Sequence, residues 1–93
     1  GEMQTDIKTL TIAIKKKQFE DTVEPIYVED QRVTLDDLRI KISEQRDQYP
    51  NMSVLIEADK AATYDTVAKV LATLQNLGIN NVGLPTRPED LKD

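Results

Sequence analysis

The sequence predicts an α+β two-layer sandwich: a mixed sheet of about four strands with two helices on one face, in the order β-β-α-β-α-β. Three observations carry that expectation. Ile7 to Lys15 alternates with a period of two, Leu10, Ile12 and Ile14 pointing one way and Thr9, Thr11 and Ala13 the other, the pattern of a half-buried strand. Two later segments, each opened by a threonine, place apolar residues at helical spacing. Val54 to Leu84 then reads as strand–helix–strand, and two strands separated by a full helix are expected to run parallel through a right-handed crossover.

Gln18 to Pro25 is polar, acidic and closed by proline, so it is a loop, long for a hairpin. Ile26-Tyr27-Val28 is a short second strand, antiparallel to the first and closed by a polar turn over Glu29-Asp30-Gln31-Arg32. Thr34 caps the first helix, with Asp36 and Asp37 at the positive end of its dipole. Leu35, Leu38, Ile42 and Tyr49 form its apolar stripe, and Pro50 stops it by disfavouring helical geometry at Tyr49. Ser53 to Ala58 is the third strand. Thr63 caps the second helix, whose expected stripe is Tyr64, Val67, Ala68, Leu71 and Leu74. Gly78 ends that helix in the left-handed conformation, and Ile79 to Leu84 is the fourth strand. With both helices on one face, Thr9, Thr11, Ala13 and Leu55 lie on a face that no helix covers.

Ninety-three residues make one domain, read here as a flexible N-terminal remnant over 1–6, a single globular unit over 7–88 and a tail over 89–93. Gly1-Glu2-Met3 reads as a cloning remnant. Aromatics are confined to Phe19, Tyr27, Tyr49 and Tyr64, so the core is aliphatic. A net charge of −5 argues against nucleic acid, whose phosphates need clustered Lys and Arg. The one basic run, Lys15-Lys16-Lys17, reads as a solvated strand end. With no cysteine and no histidine there is no thiolate nucleophile, soft-metal site or neutral-pH proton shuttle. No apolar stretch approaches the ~18–20 residues of a membrane span.

No catalytic, cofactor-binding or metal-binding residues emerge. Asp36 and Asp37 are adjacent and diverge on a helix, which suits capping rather than paired acid–base chemistry. Asp59 and Lys60 stand at the carboxyl end of a parallel strand, where ligand sites of α/β sheets open. No second acid, base or glycine-rich phosphate loop accompanies them, so the corner reads as structural. Gly83 within a strand marks a bulge or a close backbone approach.

Taken as an ordered set, these residues resemble the periplasmic domain of the ExbD/TolR family. The resemblance is carried by Ile56, Ala58-Asp59-Lys60, Tyr64, Val67, Val70 and Leu71, and by Leu77-Gly78-Ile79-Asn80-Asn81-Val82-Gly83-Leu84. Ile26-Tyr27-Val28, Val33-Thr34 and Leu38 match upstream, so that it spans roughly residues 7 to 88. Asp59, Lys60 and Tyr64 serve as the family's marker corner. The Ala-Asp-Lys corner leans toward the ExbD branch. Ala61-Ala62-Thr63 departs from a segment that often reads Asp-Val-Pro, and Leu77 replaces a frequent Ala. The family's N-terminal transmembrane helix and its membrane-embedded Asp have no counterpart in this sequence.

The resemblance implies a non-enzymatic, cofactor-free periplasmic domain of a single-pass bacterial inner-membrane protein. Such a domain works in a complex driven by proton motive force, of TonB-ExbB-ExbD or Tol-Pal type, that supports outer-membrane transport. The implied partners are a second copy in a homodimer, an ExbB/TolQ-type channel protein reached through the transmembrane helix, a TonB- or TolA-type transducer and, for TolR-like members, peptidoglycan. A small sheet with a bare face and open edges accepts an extended peptide by strand addition, and the expected edge is Asn81, Val82, Gly83, Leu84 and Thr86. The same strand is a candidate for dimerisation. Two readings of other classes compete: a ligand-sensing regulatory α/β domain, and an acylphosphatase-like hydrolase. The hydrolase would need an anion-cradling loop, for which the sequence offers only Arg32 without glycines.

Overall fold

The computed structural model describes residues 8–84. Seven elements follow in order: β1 (Thr9–Ile14), β2 (Ile26–Val28), β3 (Gln31–Val33), α1 (Leu35–Gln48), β4 (Ser53–Ala58), α2 (Tyr64–Asn76) and β5 (Val82–Gly83). The strands form one mixed sheet in the order β3-β2-β1-β4-β5. β1 lies at its centre, antiparallel to β2 with Ile12 opposite Val28, and parallel to β4 along its whole length from Thr9–Ser53 to Ile14–Ala58. β5 runs parallel to β4, with Val82 beside Val54 and Gly83 beside Leu55. The expected mixed two-layer architecture is therefore present, with five strands in place of about four.

The added strand is β3. Glu29 and Asp30 both adopt positive φ, 48° and 74°, so the chain reverses in two residues and Gln31–Val33 pairs back onto β2. That backbone is the primed hairpin turn, which Asn and Gly favour and which Glu-Asp does not announce. A three-residue strand is also too short to show alternation, so what reads as a four-residue polar turn is a tight turn plus a strand. At the other end the expected fourth strand, Ile79 to Leu84, contracts to Val82–Gly83. Ile79 is committed elsewhere: its N–H donates to the Leu74 carbonyl at 3.0 Å and that of Gly78 to Gln75 at 3.0 Å. With Gly78 at φ 79°, this is a Schellman stop, and its apolar clasp is Ile79 on Leu74, both buried.

Both helices cover one sheet face. Leu10, Ile12 and Ile14 of β1 join Ile26, Val28, Val33, Val54 and Ile56 in a single buried cluster with Leu38 and Ile42 of α1 and Val67, Val70 and Leu74 of α2. The core is aliphatic, as composition requires, and each such side chain fully buried contributes about 1.5–3 kcal/mol. Thr34 caps α1 by accepting from the Asp37 N–H at 3.0 Å, and the Asp37 carboxylate accepts from the Thr34 N–H at 3.4 Å, a reciprocal capping box. Tyr49, ahead of Pro50, leaves helical geometry at φ −131° and ψ 80°.

Two expected core residues lie outside it. Tyr49 and Tyr64 are both exposed, Tyr49 lying under the Lys8 ammonium at 5.8 Å from the ring centre. On α2 the buried positions are Val67, Val70, Thr73 and Leu74, while Ala68 and Leu71 are only half-buried. The helix carries Ala, Val and Leu on adjoining stripes, so periodicity leaves its rotation open by about one residue. The stripe carrying the two valines faces the sheet. Thr73 tolerates burial because its hydroxyl donates to the Lys69 carbonyl at 3.0 Å. Residues 1–7, Thr86 and the tail expected over 89–93 lie outside the described residues.

Candidate functional site

β5 is short because of where it starts. The Schellman stop returns the chain to the core at Ile79, and Asn81 meets β4 two residues later, its carbonyl accepting from the Val54 N–H at 2.8 Å. Val82 and Leu84 are half-buried and pack against the core cluster, while Asn81 is exposed. Gly83 fits a close approach: a Cβ there would come within 3.2 Å of Leu55 Cδ1. Successive residues of a strand turn their N–H and C=O to opposite edges. With the Asn81 carbonyl spent on Val54, the N–H and C=O of Val82 face away from the sheet. Among the described residues no strand pairs on that side.

The open sheet face adjoins this edge. Thr11, Ala13, Tyr27, Leu55 and Glu57 all lie on it, and none belongs to the buried cluster. Part of it is concave: Thr11, Ala13, Lys15, Tyr27, Glu29, Asp30 and Glu57 line a hollow of about 470 Å³.

Asp59, Lys60 and Tyr64 occupy a different place. Asp59 follows the last residue of β4, whereas β5 pairs with its first half, so corner and edge lie roughly 13 Å apart along the strand. Asp59 is fully employed in turning the chain. Its N–H donates to the Ile14 carbonyl (2.8 Å), its carbonyl accepts from Ala62 (2.9 Å), and its carboxylate Oδ1 accepts from the Ala61 N–H (2.8 Å). Lys60 and Tyr64 are exposed beside it. The structure does not bring the two groups of predicted residues together.

A residue that sequence reasoning passed over organises the same corner. Glu24, at the end of the loop and buried, accepts from the Thr63 N–H (2.9 Å), from Thr63 Oγ1 (3.1 Å) and, through a short contact, from Thr66 Oγ1. The Thr63 hydroxyl in turn accepts from the Thr66 N–H at 3.4 Å. In α1 the acid that completes the cap is local, Asp37. In α2 that third helical position is Thr66, and the acid arrives from Glu24, 39 residues before the cap. A threonine cap lacking its local acid is the signal that a distant carboxylate completes it. Beside this cap, Val23, Pro25, Ile26, Val33 and Leu35 line an apolar groove of about 580 Å³.

Across the molecule, Arg46 of α1 donates to the carbonyl of Leu77 at the negative end of α2, tying the helices together. In the loop, Asp21 accepts from the Gln18 N–H (2.8 Å) and from Arg32 (3.0 Å). The Gln18 N–H holds its carboxyl below the usual carboxylate range; burial opposes this, and the Arg32 guanidinium adds to the lowering. Among the described residues no Asp and Glu side chains converge as a cation site.

With this arrangement in place, comparison with known proteins is decisive at the level of family. A family model described as biopolymer transport protein ExbD/TolR matches residues 1–89 of the 93. The chain belongs to the ExbD/TolR family. No curated protein matches it. Membership gives this ExbD/TolR domain a role in energy-transducing biopolymer transport, in a family of transport-associated proteins with membrane-anchored periplasmic domains. No helix among its described residues is long and apolar enough to cross a membrane.

Proposed function

We propose that the chain is the non-enzymatic periplasmic part of an inner-membrane complex driven by proton motive force, binding the periplasmic segment of a TonB- or TolA-like transducer in support of outer-membrane transport. It works as a homodimer beside an ExbB/TolQ-type channel protein. The transducer peptide enters as an added strand on β5, its main chain bonding to Val82 and its alternate side chains reading the neighbouring faces. The observation that carries this reading is the outward-facing N–H and C=O of Val82 at a sheet edge beside an uncovered face.

The test is a titration of a transducer peptide into the isotopically labelled chain, following amide signals. Shifts concentrated at Asn81 to Leu84 are expected. Val82→Pro removes the outward N–H while leaving the ladder to β4 intact, so it should abolish the shifts and preserve the fold. Unmoved amides over that stretch, or undiminished binding by Val82→Pro, would sink the assignment. Dimerisation through the same strand predicts a dimer mass in light scattering that Val82→Pro lowers. A monomer at high concentration would count against it.

A further inference from the structure

The loop between β1 and β2 carries the chain's only run of three lysines and its only phenylalanine. β1 ends at Ile14, so Lys15, Lys16 and Lys17 are part of the loop, all three exposed, and Phe19 beyond them is fully exposed. The loop presents that ring in a fixed frame. The Lys15 N–H donates to the Pro25 carbonyl at its base (2.9 Å), and the turn around Phe19 is closed by Asp21 N–H to the Gln18 carbonyl (3.0 Å). Asp21 also receives the Gln18 N–H and Arg32, which occupies its charge inside the loop. Of the other acids nearby, Glu24 is turned into the α2 cap, Glu29, Asp30 and Glu57 share the hollow with Lys15, and Glu20 stays exposed beside Phe19. Neither Lys16 nor Lys17 forms a salt bridge among the described residues, and Lys17 adds only the weakest of the attractions that lower the Asp21 carboxyl.

We infer that this loop is a contact for an anionic phospholipid bilayer: Phe19 enters the headgroup boundary while Lys16 and Lys17 face the lipid phosphates. An aromatic ring beside lysines is the combination that a lipid–water interface takes up, apolar area and positive charge adding together. The remainder of the chain is acidic and is repelled by the same surface, so contact is loop-first and the domain is oriented by it. Three lysines fall short of the four to eight of a self-sufficient polybasic anchor, so the loop is one of the two signals that stable attachment takes.

The chain contains no tryptophan, so Phe19→Trp places a unique fluorophore at the proposed point of insertion. Its emission should shift to the blue with vesicles of phosphatidylcholine plus phosphatidylglycerol, stay unchanged with phosphatidylcholine alone, and return in high salt. In co-sedimentation of the chain that keeps Phe19, Lys16→Gln and Lys17→Gln should each weaken partitioning roughly five-fold. Phe19→Ser should weaken it by about five-fold or more. Unshifted emission, equal binding to both vesicle types, or undiminished binding by the lysine variants would overturn the inference. A blue shift produced only by a transducer peptide would reassign the loop to a protein partner.

Discussion

Removing the Glu24 carboxylate should loosen the domain at the α2 cap, away from the β5 edge. Three donors converge on it, the Thr63 N–H and the hydroxyls of Thr63 and Thr66, and only 8% of the residue is exposed. Hydrogen bonds to a charged acceptor each contribute about 1.5–3 kcal/mol, but three sharing one carboxylate do not add. Thr63 and Thr66 are half-buried, so water recovers part of the loss once the acceptor is gone. Glu24→Ala is therefore expected to cost about 2–3 kcal/mol, which for a domain of this size lowers Tm by roughly 10–20 °C. Glu24→Gln keeps one acceptor and turns an amide N–H₂ toward the remaining donors, so it should cost about half as much. The assay is urea denaturation, read from midpoints at unchanged m-value, with Thr66→Val completing a double-mutant cycle. A coupling of about 1 kcal/mol is expected. A loss below ~0.5 kcal/mol for Glu24→Ala, or independent effects of Glu24 and Thr66, would refute the distant-cap argument.

Three further outcomes follow from local geometry. Gly78→Ala should destabilise by about 1–2 kcal/mol in thermal melts, because φ is 79° there and the added Cβ has ordinary room at 3.8 Å from Arg46, leaving conformational strain as the cost. Thr34→Ala breaks the α1 capping box and should cost about 1 kcal/mol, with Thr34→Ser recovering most of it in the same denaturation assay. Asp21 has its carboxyl pKa lowered in the fold, so its contribution is complete above the unfolded value of about 3.9 and disappears as pH falls through the lower folded value. The stability gap between the wild type and Asp21→Asn should be open at neutral pH and close in acid. An identical gap at both would contradict the assignment.

Local patterns in the sequence were sufficient for most of the fold. Alternation placed β1 and its buried Leu10, Ile12 and Ile14, two threonine caps placed the helices, and Pro50 and Gly78 placed their stops. What escaped depends on interactions that no local pattern records. β3 exists because two non-glycine residues accept positive φ for the sake of a third layer of pairing on β2. The rotation of α2 was decided by which apolar stripe met the sheet, and it left Tyr64 outside. A strand after the Gly78 stop was legible, but as Ile79 to Leu84, because only the Schellman bonds show that Ile79 is spent on ending the helix and that pairing is confined to Val82–Gly83. The separation of that strand from the Asp59 corner was not legible, because only the register of β5 on β4 reveals it. Glu24 was hidden among the acids of a polar loop until its partners came into view.

The central position of β1 also governs how the domain is made. Its ladder to β4 begins with Thr9 beside Ser53, 44 residues on, so the longest strand pair in the sheet closes a large loop before any of its bonds form. Until Ala58 has left the ribosome or the translocation channel, β1, β2 and β3 are a small meander in which β1, central in the finished sheet, is an open edge. The sheet therefore cannot close around β1 before β4 arrives. A chain arrested before that strand exposes Leu10, Ile12 and Ile14 together, the surface on which unfinished copies would associate.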